Sequence, residues 1–151
     1  MAEAITREMP TSELAKLLVA NDTNVHLPLR VIKKAFAFNS TSNGSGIQWQ
    51  NPEDQAGLAA IVVEVTTAGT GTAGVDIGVG TANGSADNLG DALRVDTIAV
   101  VSPFGTGGGT NGKPWRKMSA KGGTLDYITG KGIDIDATAA ANVYILFIPL
   151  A

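Results

Sequence analysis

From about Leu27 onward the chain is a series of short segments in which apolar and polar residues alternate, separated by glycine-rich turns. Val75-Asp76-Ile77-Gly78-Val79 sets three apolar residues on one face against Asp76 and a glycine on the other. Ile133-Asp134-Ile135-Asp136 repeats the device, as does Val143-Tyr144-Ile145-Leu146-Phe147 with a greasier second face. A period of two belongs to a strand buried on one side, and many such strands in series leave a sandwich or a barrel as the solutions.

The length of 151 residues fits one such domain, with nineteen glycines for tight turns and a core of Val, Ile, Leu and Ala. The strongest strand is Leu58–Thr67, and others are read at Ile47–Gln50, Val75–Val79, Ala92–Val101, Pro114–Met118, Thr124–Thr129, Ile133–Ala137 and Val143–Leu150. The extended segment Leu27–Phe38 becomes a strand in its second half, where Ile32, Phe36 and Phe38 share a face. Pro28 and the Lys33-Lys34 pair suit an edge strand, where proline and charge discourage unwanted pairing. Ser102–Lys113 holds five glycines and reads as the loop best placed to touch something.

Residues 1–26 form a separate arm ahead of the β domain at 27–151. Met9–Asp22 predicts one short helix, capped by Thr11 or Ser12, with Leu14, Leu17 and Leu18 as a stripe at i, i+3 and i+4. A helix of about ten residues is unstable alone in water, so the stripe needs a docking surface on its own domain, a neighbour or another protein. With the cations Arg30, Lys33 and Lys34, these leucines are the candidate partner-binding residues.

The absence of cysteine excludes a disulfide framework, a thiolate zinc site and a cysteine nucleophile together. His26 is the one histidine, so a Ser-His-Asp triad or a histidine metal site would depend on a residue in the arm. No catalytic group, metal or cofactor is expected. The net charge of −3 is segregated: residues 35–93 carry six acids and no Lys or Arg, whereas 94–121 carry five basic groups against Asp96 alone. Such unlike regions can orient head-to-tail contacts between identical subunits, or can simply be solvated faces. Sparse cations in an acidic chain argue against nucleic-acid binding. No apolar run approaches a membrane span, and the polar opening residues suggest a protein made in the cytoplasm without a leader.

Two glycine motifs are weighed and set aside. Gly69-Thr70-Gly71-Thr72-Ala73-Gly74 fits a dinucleotide fingerprint, but a β segment follows where a helix is needed, so it reads as a hairpin turn. Gly107–Lys113 fits a phosphate loop except that Pro114 stands where Ser or Thr must bind magnesium. Asp87 with Asp91, and Asp134 with Asp136, do not have calcium-loop spacing. Asn21, Asn39, Asn43 and Asn83 open formal glycosylation sequons that read as turn composition.

The β domain nonetheless has a familiar texture. It carries Val62–Thr72, the turn-rich Gly80–Leu89, Thr110-Asn111-Gly112-Lys113, Tyr127-Ile128-Thr129-Gly130 and the closing strand at Val143. Over residues 30–151 this resembles virion structural proteins of tailed bacteriophages, especially the capsid decoration (cement) proteins. The resemblance implies an all-β, jelly-roll-like antiparallel sandwich that sits as a homotrimer on the major capsid protein, on the outer surface of an icosahedral head. It carries no catalytic residues. Two rival expectations stand beside it. A receptor- or glycan-binding module would use Trp49, Trp115, Tyr127 or Tyr144 as stacking platforms. A glycosidase-like enzyme would need paired carboxylates, for which Asp126 with Asp134 or Asp136 are the candidates.

Overall fold

The computed structural model describes residues 28–38, 40–70, 72–84, 86–104, 109–134 and 138–150. The expected helical arm with Leu14, Leu17, Leu18 and His26 lies outside them. Among the described residues there is no helix. The chain forms two antiparallel sheets, built from β1 (Arg30–Phe36), β2 (Ile47–Gln50), β3 (Gly57–Thr67), β4 (Gly74–Gly80), β5 (Gly90–Arg94), β6 (Val100–Val101), β7 (Arg116–Met118), β8 (Tyr127–Ile133) and β9 (Ala140–Pro149).

Sheet A runs β1-β9-β3-β6, with β7 sharing the β6 side of β3; sheet B runs β2-β8-β4-β5. Of the consecutive strands, only β4 and β5 are hydrogen-bonded neighbours. Elsewhere the chain crosses between sheets, apart from β6 and β7, which lie one after the other along β3. The period-two pattern explains the core directly. Ala59, Ile61, Val63 and Val65 of β3 point inward beside Val143, Ile145 and Phe147 of β9. Val75, Ile77 and Val79 of β4 with Ile128 of β8 face them from sheet B. Trp49 of β2 is half-buried and packs edge-on against Phe147 across the gap, 5.6 Å between ring centroids.

Three expectations change. Thr124–Thr129 and Ile133–Ala137 are not two strands: β8 runs unbroken through Gly130-Lys131-Gly132 and ends at Ile133. Gly130 faces the core, where a Cβ would meet the Asp76 carbonyl at 2.5 Å, so a glycine that reads as a turn is a packing requirement. Ala92–Val101 is not one strand either. Its first part ends sheet B as β5; residues 95–99 then cross to sheet A, tied by Val95 N–H to Ala73 and by Val65 N–H to the Ala99 carbonyl. Finally, the Gly69–Gly74 turn joins strands of different sheets and is an arch, not a hairpin.

Candidate functional site

The two sheets differ in what they offer to a partner. The outer side of sheet B carries Gln48, Asp76, Thr129 and Lys131, and a strap formed by residues 81–84 and 86–89 folds back over it. Asn88 fixes that strap by accepting from Val79 N–H and donating to Val79 O, both at 2.9 Å, as a neighbouring strand would. Gly78 is required beneath it, because a Cβ there would stand 2.6 Å from Asn88 Oδ1. Gln48 Nε2 donates to Asn83 Oδ1 at 2.6 Å and pins the near end of the strap.

The strap and β5 together hold the glycine-rich loop at Thr110 and Asn111. Asp91 Oδ2 accepts Thr110 N–H at 3.1 Å and Asn111 N–H at 3.0 Å, and Asp87 takes the Asn111 side-chain amide at 2.9 Å. Gly109, at φ +72°, lies where a Cβ would be 2.1 Å from the Asp91 carbonyl oxygen. Two of the amides in the phosphate-loop-like run, those of Thr110 and Asn111, are thus spent on an internal carboxylate.

Sheet A is different. Pairing register places Val31 and the half-buried Leu146 in one row of its outer side, beside the fully buried Ala60, and the half-buried Leu58 with Ile148 in the next. Val62 and the exposed Leu29 extend this patch. One polar cluster borders it: Glu64 accepts from Tyr144 Oη at 2.9 Å and Asn142 Nδ2 at 3.3 Å, and Lys33 lies 5.7 Å from the Tyr144 ring centre. The Tyr144 and Asn142 hydrogen bonds, helped by Lys33, hold the Glu64 carboxyl below its ordinary range. Antiparallel sandwiches normally turn polar residues outward, so a broad apolar patch on an outer face marks a contact surface.

Of the predicted partner-binding residues, Arg30, Lys33 and Lys34 are exposed on β1, which is an edge strand. Arg30 pairs with Glu53. The carboxylate pair does not come together. Asp126 precedes β8 and Asp134 follows it, so about eight residues at ~3.3 Å each put them roughly 26 Å apart. Asp136 lies outside the described residues. Asp126 is instead a structural group: Gln50 and the Gly122 N–H, both at 2.8 Å, hold its carboxyl low. Among the described residues, no set of three or more His, Cys, Asp or Glu is placed to hold a metal ion. No described helix is long and apolar enough to cross a membrane.

The aromatic platforms expected for a glycan site do not cluster, since Trp49 is committed to the core and Tyr144 to Glu64. Sequence reasoning missed the pair that does form. Phe104 and Trp115 meet edge to face at 5.9 Å, both exposed, at the β6 side of the molecule. Eleven residues separate them, and only the β6–β7 excursion brings them together. Phe104 also lines a cavity of about 480 Å³ between β5 and β6, with Asp91, Leu93, Arg94, Val100 and Val101.

No family model matches the chain. No curated protein matches it in sequence. Among solved structures, its neighbours are a phage capsid protein and a prophage protein. The first belongs to the acidic stable capsid structure of Helicobacter pylori bacteriophage KHP30, at 14% identity over 82% of this chain and 90% of that one, TM-score 0.39. The second is the SPBc2 prophage-derived protein YomS, at 13% identity over 82% of this chain and 99% of that one, TM-score 0.31.

Proposed function

We propose that this is a non-enzymatic virion structural protein that binds the outside of an icosahedral bacteriophage capsid and reinforces it as a homotrimer. The observation that carries the reading is the apolar outer face of sheet A, set against a sheet B whose outer face is polar and strapped. One broad apolar face would then lie on a flat protein surface. Strand order supports a jelly-roll reading: β1-β9-β3-β6/β7 opposite β2-β8-β4-β5 is compatible with two Greek keys, an architecture that recurs in viral capsid and lectin domains. Fold alone does not assign a role. The sequence resemblance to decoration proteins supplies the capsid; Lys33 lies on the side of β1 that would meet the major capsid protein, while Arg30 and Lys34 alternate to the other side of that edge strand. Leu14, Leu17 and Leu18 would add contacts through the arm.

Three such faces on one rigid trimer raise affinity by ~10²–10⁴ over a single contact when all can engage together. A direct test heats phage heads lacking the protein, with and without saturating amounts of it, and follows release of packaged DNA. Reinforcement shifts release to higher temperature; an unchanged release curve rejects the reading.

A second reading rests on Phe104 and Trp115 beside the β5–β6 cavity, since an exposed aromatic pair next to polar groups suits stacking on a sugar ring. It predicts binding on a glycan array that Trp115→Ala abolishes. Loss of head binding by the same variant, without glycan binding, would favour the capsid reading instead.

A further inference from the structure

Two apolar surfaces of this chain call for a cover, and the path of the backbone brings them to one place. The first is the outer side of sheet A over β1, β9 and β3, with Val31, Leu146, Ile148, Leu58 and Val62. The second is the Leu14, Leu17 and Leu18 stripe in the sequence ahead of the described chain. The described chain begins at Pro28, two residues before β1. Arg30 pairs with Phe147, so the arm joins the sheet at the end where Ile148 and Leu58 lie. Leu29 and Val31, 48% and 60% exposed, fall on the outer side by alternation and lead from the arm onto the face.

Reach and spacing agree. Neighbouring strands stand about 4.8 Å apart, so the strip from β1 across β9 to β3 is roughly 10 Å wide. Residues 23–27 span up to ~17 Å when extended, enough to carry the helix predicted over Met9–Asp22 onto the middle of that strip. Leu14 and Leu18 of such a helix stand about 6 Å apart along its axis, against about 7 Å between Leu146 and Ile148 on β9.

Two further points select the arm as the occupant. A tether of a few residues gives the stripe an effective concentration in the millimolar range, which a free partner does not match. The outer side of sheet B is no rival, because Gln48, Asp76 and Lys131 make it polar and the strap crosses it.

We infer that in the free protein the arm lies along the outer side of sheet A, with Leu14, Leu17 and Leu18 against Val31, Leu146, Ile148 and Leu58 of the same chain. The arm is thereby an exchangeable cover. It shields the apolar face in solution and yields to a broader surface, which then also receives the three leucines. The contact rests on the capsid reading only for the identity of that displacing surface.

The chain has no cysteine, so a pair of thiols placed on the two surfaces reports their contact without competition. Leu17→Cys with Leu146→Cys should form a disulfide within one chain under mild oxidation, seen by its mobility on a non-reducing gel. Leu17→Cys with Lys131→Cys puts the second thiol on the outer side of sheet B. That pair should close roughly tenfold more slowly or not at all, since bridging needs the two Cα atoms within about 7 Å. Both variants are first checked for native circular dichroism in the reduced form. Absence of the intrachain disulfide, a disulfide between chains in its place, or equal rates for the two pairs overturns the inference. Binding to phage heads separates the two proposals. Loss of binding on oxidation with recovery on reduction supports both. Binding unchanged by the intrachain disulfide keeps the arm contact and removes this face as the capsid seat.

Discussion

Individual polar side chains here set backbone geometry more than they offer chemistry. Asp76 accepts the N–H of Ala92 at 2.9 Å, and Ala92 holds φ +52° in the bulge where β5 gains a residue on β4. Burial, with Asp91 and Asp87 nearby, raises the Asp76 carboxyl above its usual range despite the Ala92 bond and Lys131. A folded-state value above the unfolded one means the ionised group opposes folding at neutral pH and ceases to do so as pH falls through that value. Asp76→Asn keeps an acceptor for Ala92 without the charge, so urea unfolding at pH 7 should show equal or greater stability. Asp76→Ala removes the acceptor and should cost about 1–2 kcal/mol. Asp126 has the opposite sign. Its carboxyl is held low by Gln50 first and then by Gly122, so it stabilises the fold above the ordinary carboxylate range, and that support is lost as pH falls through the lower folded value. Asp126→Asn should therefore be destabilised at pH 7 and approach the wild type in acid, measured as urea midpoints against pH. A gap that stays constant with pH would remove the ionised carboxylate from the account.

At the scale of elements, the strap over sheet B decides which face stays available. Asn88→Ala removes both side-chain bonds to Val79 and should cost about 2–3 kcal/mol, with faster hydrogen exchange at the Val79 amide. Asp91→Ala should speed exchange at Thr110 and Asn111 while leaving β3 and β9 protected, because it releases only the loop. Strands were readable in the sequence where alternation was clean, as at Leu58–Thr67 and Val75–Val79. They were misread where glycine faces inward, as at Gly130 and Gly132 of β8, since a missing side chain looks the same in a turn and in a crowded core. The break within Ala92–Val101 was hidden for a different reason. Leu93 and Val95 both bury while Thr97 and Ala99 are exposed, and alternation cannot reveal a change of sheet.

For the whole molecule, alternation marked strands buried on one side, and Pro28 with the Lys33-Lys34 pair marked β1 as an edge. The outer face of sheet A was legible only in part. Leu146 and Ile148 belong to a greasy second face in the sequence, but their alignment with Val31 and Leu58 is a matter of register between distant strands. The same holds for Phe104 with Trp115. Nearly every consecutive pair of strands crosses between sheets, so pairing joins residues far apart in the chain, and refolding is expected in milliseconds to seconds rather than microseconds, followed by stopped-flow Trp fluorescence.

The central claim is that the apolar face of sheet A seats the protein on a capsid. The most direct measurement is a binding isotherm on purified phage heads lacking the protein, for the wild type and for Leu146→Lys, which changes the middle of that face and neither edge. The account predicts saturable binding by the wild type and at least a tenfold loss for the variant, with unchanged solution mass. Equal binding by the two proteins, or no binding by the wild type, would contradict it.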